Sequence, residues 1–278
     1  MTPSYATASQ RRIAALPMYD FAHLREAHDA FWRAVADRLV SYGVTNVPLG
    51  LSHPRDPVDL LSEPSLLLGQ TCEYPLAMSR KSSVRLVGTP CYTAPGCSGS
   101  QYRSFIVVRK DDRAQDLAAL RGRRCAVNER NSNSGMNLLR AAVASVSGAK
   151  HFFDAVLLSG SHRDSVALVA HGKADVAAID CVSFAHLTHV CPEEMKELRV
   201  LWHTPSSPSL PLISSSLNDT RTIEALRSAL AEALVDPAVA PACERLMLES
   251  IDFDTDPEFT TVRRLERQAA EAGYPALG

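Results

Sequence analysis

Short apolar runs alternate with stretches of helical periodicity along most of this chain, and that alternation is typical of the α/β fold class. The strongest strand pattern is residues 104–109, where four aromatic or β-branched residues follow one another. Strands are predicted at residues 12–16, 65–69, 84–88, 104–109, 124–127, 155–158, 175–179 and 199–202, and residues 210–214 are a further short apolar segment. Helices are predicted at residues 24–39, 134–146, 164–171 and 220–234. Strands separated by helices favour parallel sheets covered on both faces.

Two loop-like segments divide the pattern into lobes. Residues 89–101 are rich in Gly, Pro and Ser, and residues 203–211 contain three prolines. Between them lies an α/β set of the size of one domain. We therefore predict one lobe from residues 103–203 and a discontinuous lobe from residues 1–102 plus 204–278. The two segments are the predicted crossovers, and a ligand cleft is expected between the lobes.

Charge and hydropathy limit the class of partner. The 278 residues carry a net charge of −2, which favours neither nucleic acid nor an anionic membrane as a partner. No apolar run is long enough to cross a bilayer, so no membrane insertion is expected. The start, residues 1–10, is polar and lacks a signal-peptide core. As written, the chain is expected in the cytoplasm with its seven cysteines reduced, although Cys91 and Cys97 are close enough in sequence to pair after export.

The segment Asn131-Ser132-Asn133-Ser134-Gly135 is the sharpest local signal. It follows a predicted strand and opens a strongly periodic helix. The start of a helix presents unpaired N–H groups to an anion, and the Ser hydroxyls add donors. Ser and Asn are also the preferred helix caps in the absence of any ligand. The segment therefore predicts an anion site or a helix cap.

Further polar side chains follow other predicted strands, where ligands gather in open α/β sheets. Asp180 ends the strand at 175–179 and is either a ligand group or a helix cap. His162 lies between a strand and a helix, where it binds an oxyanion or packs. Tyr102 and Ser104 lie at the start of the strongest strand, Tyr102 as cleft wall or core edge. Other strand ends carry Gln70 with Thr71, and Tyr19.

Catalytic and cofactor motifs are missing from the sequence. It has no phosphate loop, dinucleotide loop or Gly-x-Ser-x-Gly elbow. His186, His189, Cys181 and Cys191 lie near one another without the spacing of a closed metal site, which favours packing. We predict no catalytic residue, no cofactor and no metal.

Three stretches resemble a known family. They are residues 102–112, residues 117–124 and residues 131–137, and the likeness continues through Gly160-Ser161-His162, Gly172-Lys173-Ala174-Asp175 and Ala178-Ile179-Asp180. Together they resemble the phosphate/phosphite/phosphonate solute-binding proteins of ABC transporters. The chain departs from the family in having Asn133 and Met136 where the usual run is Ser-Thr-Ser-Gly-Tyr.

This resemblance implies a type II periplasmic-binding-protein fold that closes on a small oxyanion. It assigns the oxyanion to Ser132, Ser134 and Gly135, the pocket wall to Tyr102, and further contacts to Asp180 and His162. Gln70, Thr71 and Tyr74 correspond to the pocket loop of the first lobe. It also implies an ABC permease as partner and a periplasmic location if a leader is missing. The alternative is a cytoplasmic enzyme or ligand sensor on the same fold, with Asp180 or His162 as general base.

Overall fold

The structure is a computed structural model that describes residues 11–54, 56–79, 83–147, 151–254, 256 and 259–277. The polar segment 1–10 lies outside the described residues. The strands are β1 Ile13–Ala15, β2 Leu66–Gln70, β3 Val84–Tyr92, β4 Gln101–Tyr102, β5 Ser104–Arg109, β6 Arg124–Val127, β7 Ala155–Leu158, β8 Val176–Asp180, β9 Leu198–His203, β10 Ser207–Pro208, β11 Leu212–Ser215 and β12 Leu248–Asp252. The helices are α1 Arg25–Ser41, α2 Glu73–Met78, α3 Leu138–Ser147, α4 His162–Ala170, α5 Cys181–Val190, α6 Pro192–Lys196, α7 Thr220–Leu234, α8 Ala240–Arg245 and α9 Thr260–Glu271.

The chain folds into two compact units. The first unit comprises Met1–Thr71, Arg80–Pro90 and Leu210–Thr255, and the second comprises Cys72–Ser79, Cys91–Ser209 and Asp256–Gly278. The predicted crossover segments contain two of the passages between units, after Pro90 and after Ser209.

The first unit is a five-stranded sheet in the order β1-β2-β11-β3-β12. β1 pairs with β2 in parallel, whereas β11 runs antiparallel to both β2 and β3. α1 and α7 pack together and contribute the buried side chains Phe31, Val35, Leu226 and Leu230 to its core. Their spacing of three to four residues is the helical periodicity visible in the sequence.

The second unit has a five-stranded sheet in the order β7-β6-β8-β5-β9 and a two-stranded sheet of β10 with β4. β6 is parallel to β7 and β8, but β5 is antiparallel to β8 and β9. The expectation of parallel sheets was therefore wrong for both units, which are mixed. β5 and β11 each follow a loop and a two-residue strand instead of a crossover helix, so the rule that makes βαβ strands parallel does not apply to them.

Several predicted elements have the bounds expected from the sequence, namely β5, β6, β7 and α7. The predicted helix at 134–146 is present, but it begins with a π-helical turn, Asn133–Asn137, before α3. β12 and α9 were not predicted, although α9 carries the buried residues Val262, Leu265 and Ala269 at helical spacing.

The C-terminal segment differs from the predicted lobes. Residues 256–278 were assigned to the discontinuous lobe, but they lie in the second unit, as does the segment Cys72–Ser79. α9 packs against α3, and Ala269 and Tyr274 are buried in the core of that unit with Leu139 and Val143. The apolar stripe of α3 therefore needs this segment as its cover.

Membrane-spanning character is absent from the helices that the structure describes, none of which combines the necessary length with the necessary hydropathy.

Tyr274 tests the place of the C-terminal segment. Its side chain is fully buried in the core of the second unit, so Tyr274→Ala should lower the free energy of unfolding by about 3–5 kcal/mol through lost contacts and a cavity. Denaturant unfolding measures the change. Arg267→Ala on the exposed face of α9 is the matched control and should change stability little. Equal stability of the two variants would contradict a structural role for the segment.

Candidate functional site

The sheet of the second unit brings the predicted polar side chains to one edge. β6 and β8 are parallel, so the π-helical turn that follows β6 and Asp180 at the end of β8 lie at the same edge. β5 is antiparallel to β8 and places Ser104 directly opposite Asp180. His162 is the first residue of α4, which follows β7 at that edge as well.

Hydrogen bonds join these residues into one cluster. Ser134 Oγ lies 2.8 Å from His162 Nε2, and Asp180 Oδ2 lies 3.3 Å from the same ring nitrogen. Ser132 Oγ is 3.4 Å from Ser134 Oγ. Ser104 Oγ donates to the carbonyl of Ser134 at 3.0 Å. The cluster therefore holds three hydroxyls, an imidazole and a carboxylate within hydrogen-bond distance of their neighbours.

Ser132 caps the helix start. Its backbone is extended, and its Oγ accepts the N–H of Gly135 at 3.0 Å. The predicted helix cap is thus present. Because Ser132 Oγ accepts in the cap, its hydroxyl proton can still be donated. A Cβ at position 135 would lie 1.9 Å from Asn128 Oδ1, so any larger residue there would displace the Asn128 side chain.

Asp180 also caps a helix. Its Oδ1 accepts the N–H groups of Val182 and Ser183, at 3.0 and 2.9 Å, at the start of α5. Its Oδ2 faces His162, so the two oxygens have different neighbours. A carboxylate held in this way keeps a fixed orientation and only accepts hydrogen bonds while it is ionised.

Burial lowers the pKa of His162, against the opposing effects of the Asp180 carboxylate and the Ala178 carbonyl. The ring is therefore neutral at neutral pH. Ser134 and Asp180 approach the same nitrogen, Nε2. In a Ser-His-Asp catalytic triad the carboxylate holds the opposite ring nitrogen and fixes the tautomer for proton transfer. This geometry suits the binding of a ligand better than the activation of a nucleophile.

Asn133 is turned into the protein. Its side chain is fully buried, and its amide nitrogen donates to Ser207 Oγ at 2.9 Å and to Tyr102 Oη at 3.3 Å. Asn137 donates in turn to Asn133 Oδ1 at 3.0 Å. Asn133 thus links the π-helical turn to the β4–β10 ribbon through Tyr102 and Ser207.

Glu73 was missed by the sequence reasoning. It begins α2, it is buried, and its burial, with the nearby Asp256 carboxylate, raises its pKa to about 8. Only the strongly apolar context of the residues before it signals this burial. Tyr74, the next residue, lies beside Arg140; burial raises its pKa, which Arg140 opposes. Within the part of the chain that the structure describes, Tyr74 makes no hydrogen bond to the Ser134–His162–Asp180 cluster.

Tyr19, Gln70 and Thr71 lie in the first unit. Tyr19 follows β1, Gln70 is the last residue of β2, and Thr71 comes directly after it. Because β1 and β2 are parallel, all three stand at one edge of that sheet. All three are buried. Gln70 Nε2 donates to the carbonyl of Leu210 at 3.3 Å, and the Thr71 N–H donates to the carbonyl of Pro211 at 3.2 Å.

The described residues contain no group of three or more His, Cys, Asp or Glu side chains placed to hold a metal ion.

Comparisons with known proteins match one family model and one fold. A protein-family model described as "ABC transporter, phosphonate, periplasmic substrate-binding protein" matches residues 74–255. A binding-protein component of an ABC phosphonate transporter from Pseudomonas aeruginosa is 16% identical, with a TM-score of 0.77 over 95% of this chain and 88% of that one. PhnD1 from Prochlorococcus marinus, in complex with methylphosphonate, is 13% identical, with a TM-score of 0.74 over 94% and 98%.

A Xanthomonas citri protein bound to ATP is also similar in structure, at 17% identity and a TM-score of 0.71 over 94% of this chain and 97% of that one. Comparison of the sequence with curated proteins finds no match. These likenesses confirm the predicted type II periplasmic-binding-protein fold.

The raised pKa of Glu73 has a consequence for stability. Between the ordinary pKa of 4.5 and about 8, the unfolded chain releases a proton that the folded chain keeps, so folding loses stability as the pH rises. Glu73→Gln mimics the protonated side chain. It should therefore leave stability unchanged near pH 4.5 and raise it by roughly 2–4 kcal/mol near pH 8.

Denaturant unfolding at both pH values measures this difference. Glu193→Gln, whose side chain is 81% exposed, is the control and should show no pH-dependent gain. A Glu73→Gln variant that is destabilised equally at both pH values would contradict the assignment of a protonated Glu73.

Proposed function

Because this chain belongs to the family of periplasmic substrate-binding proteins of phosphonate ABC transporters, we propose that it reversibly binds a small phosphorus oxyanion, namely phosphate, phosphite or a phosphonate. The ligand is released unchanged. The family consists of transport proteins and not enzymes, which sets aside the enzyme alternative. As a member, the chain would deliver its ligand to an ABC permease from the periplasm.

The observation that carries the proposal is the cluster of Ser134, His162 and Asp180 at a helix start. Hydroxyl donors beside the positive end of a helix dipole stabilise a bound oxyanion. We assign the anionic oxygens of the ligand to Ser132, Ser134 and the backbone around Gly135. His162 holds the Ser134 hydroxyl in place, and a neutral ring adds a polar contact without a second charge.

The remaining residues have supporting roles in this proposal. Ser104 fixes the carbonyl of Ser134, and Asn133 holds Tyr102. The hydrogen bond from Asn133 therefore fixes the position of the Tyr102 hydroxyl, in addition to the packing of the ring. Tyr19, Gln70, Thr71 and Tyr74 remain ligand contacts on the basis of the family resemblance.

Asp180 selects the protonation state of the ligand. A carboxylate that is buried beside an anion repels it unless a proton lies between them. An ionised Asp180 accepts a proton from a monoprotonated phosphonate or phosphate, or from a cationic group on the ligand. A sulfonate or sulfate has no such proton, so two negative charges would face each other. The site therefore favours phosphorus over sulfur oxyanions.

Ser134→Ala tests the oxyanion contact. Loss of a hydrogen bond to a charged group should weaken methylphosphonate binding by roughly 1–3 kcal/mol, measured by calorimetry. Ser145→Ala on α3, whose hydroxyl donates to the carbonyl of Ala142, is the matched control and should bind normally. If Ser134→Ala binds as the wild type does and only unfolds more easily, the serine is a structural group.

Asp180→Asn tests the selectivity. The amide oxygen still caps α5, while the amide nitrogen donates to an anion. We expect the wild type to bind methylphosphonate and exclude methanesulfonate. In the variant, the ratio of the affinity for methylphosphonate to that for methanesulfonate should fall by about tenfold or more. Calorimetry with both anions decides it, at a pH where the phosphonate keeps one proton.

Asp219→Asn provides the matched control, since Asp219 caps α7 in the first unit in the same way. It should leave the ratio unchanged. The same ratio in wild type and Asp180→Asn would assign the choice of ligand to other residues.

A further inference from the structure

Two thiols that the proposed site does not use lie in contact. Cys97 Sγ is 3.3 Å from Cys181 Sγ, and the two residues are 84 positions apart in the chain. No disulfide joins Cys97 to Cys91, the pairing that the sequence suggested, among the described residues. A disulfide bond is about 2.05 Å long, so the two sulfurs would have to approach by roughly 1 Å to bond.

The backbone on each side of this contact is fixed. The Cys97 N–H donates to the carbonyl of Ala94 at 3.0 Å, and the Cys181 N–H donates to the carbonyl of Arg103 at 3.0 Å. Gly96 has a φ of +101°, and a Cβ there would lie 3.0 Å from the Cβ of Cys181. The loop therefore approaches the first residue of α5 as closely as its backbone allows, and it presents Cys97 to Cys181.

The two thiols differ in exposure and acidity. Cys181 is fully buried, whereas Cys97 is partly exposed. The hydrogen bond from Cys97 lowers the pKa of Cys181, and the same contact raises the pKa of Cys97. Cys181 is also the first residue of a ten-residue helix, a position that stabilises a thiolate. The pair thus combines a thiol that reagents reach with a buried thiol that is ready to attack it.

We propose that Cys97 and Cys181 are a disulfide-forming site that closes when the protein meets an external disulfide oxidant. Cys97 passes its proton to the Cys181 thiolate as it attacks the external disulfide RSSR, and a mixed disulfide forms with release of RS⁻, which takes that proton from Cys181 as RSH. The Cys181 thiolate then attacks the Cys97 sulfur and displaces the second RS⁻. The protein loses two protons and two electrons, and the oxidant takes them up as two RSH.

A periplasmic family makes such an oxidant available, since disulfides form and persist in that compartment. The bridge would tie the loop before β4 to the start of α5, next to Asp180. It closes a long loop and therefore removes much entropy from the unfolded chain. This site does not depend on the identity of the ligand, and its test does not use ligand binding.

The test is incubation of the purified full chain with oxidised glutathione, followed by alkylation, digestion and mass spectrometry without reduction. Wild type should show a Cys97–Cys181 peptide pair and an intact mass lower by two hydrogens. The oxidised protein should melt roughly 5–15 °C above the reduced protein, and dithiothreitol should reverse this shift.

Three variants separate the steps. Cys181→Ser should leave a glutathione adduct on Cys97 that is not resolved, and Cys97→Ser should leave Cys181 unmodified. Cys91→Ser is the matched control and should form the bridge as wild type does. A Cys91–Cys97 peptide pair, or a persistent glutathione adduct on Cys97 in wild type, would overturn the proposal. So would wild-type protein that stays fully reduced in oxidised glutathione.

Discussion

The antiparallel pairing of β5 with β8 is the constraint on which the second unit depends. It inserts a strand of opposite direction beside two parallel strands and sets Ser104 against Asp180 in register. A shift of one residue would turn every side chain of β5 to the other face of the sheet. The same pairing leads the chain from β8 into α5 with Asp180 as its cap. This one register therefore sets the position of the Asp180 carboxylate and the direction of α5. It also places Ser104 where it supports the π-helical turn.

A network of buried hydrogen bonds connects this part of the second unit to the C-terminal segment. Arg140 is buried on α3 and donates to Asn137 Oδ1 at 3.0 Å and to the carbonyl of Pro275 at 2.6 Å. Asn137 donates to Asn133, and Asn133 donates to Tyr102. Each member would cost free energy if it were buried without a partner, so the network is stable only when it is complete. The last residues of the chain thus contribute to the position of Tyr102 without being near it in sequence.

Sequence reasoning recovered what depends on neighbouring residues. The apolar run of β5 and the stripe of α7 are local patterns, and their bounds were predicted correctly. Strand direction was not recovered, because it depends on how a loop returns to the sheet. The burial of Glu73 and the inward turn of Asn133 were missed for a similar reason. Both side chains are polar by type, and only contacts with distant residues decide that they lie inside. The convergence of Ser134, His162 and Asp180 was anticipated because all three follow strands, whose ends share an edge of the sheet.

The π-helical turn sets the rotational register of the helix that follows. The N–H groups of Asn137 and Leu138 bond to carbonyls five residues back, at Ser132 and Asn133, so this turn contains one residue more than an α-helical turn would. Removing that residue would restore regular hydrogen bonding, but it would rotate Ser132 and Ser134 by about 100° relative to the apolar stripe of α3. The stripe would stay in the core while the hydroxyls turned away from His162. A regular α-helical turn is therefore incompatible with the present orientation of Ser132 and Ser134. π-Helical turns are frequent at functional sites.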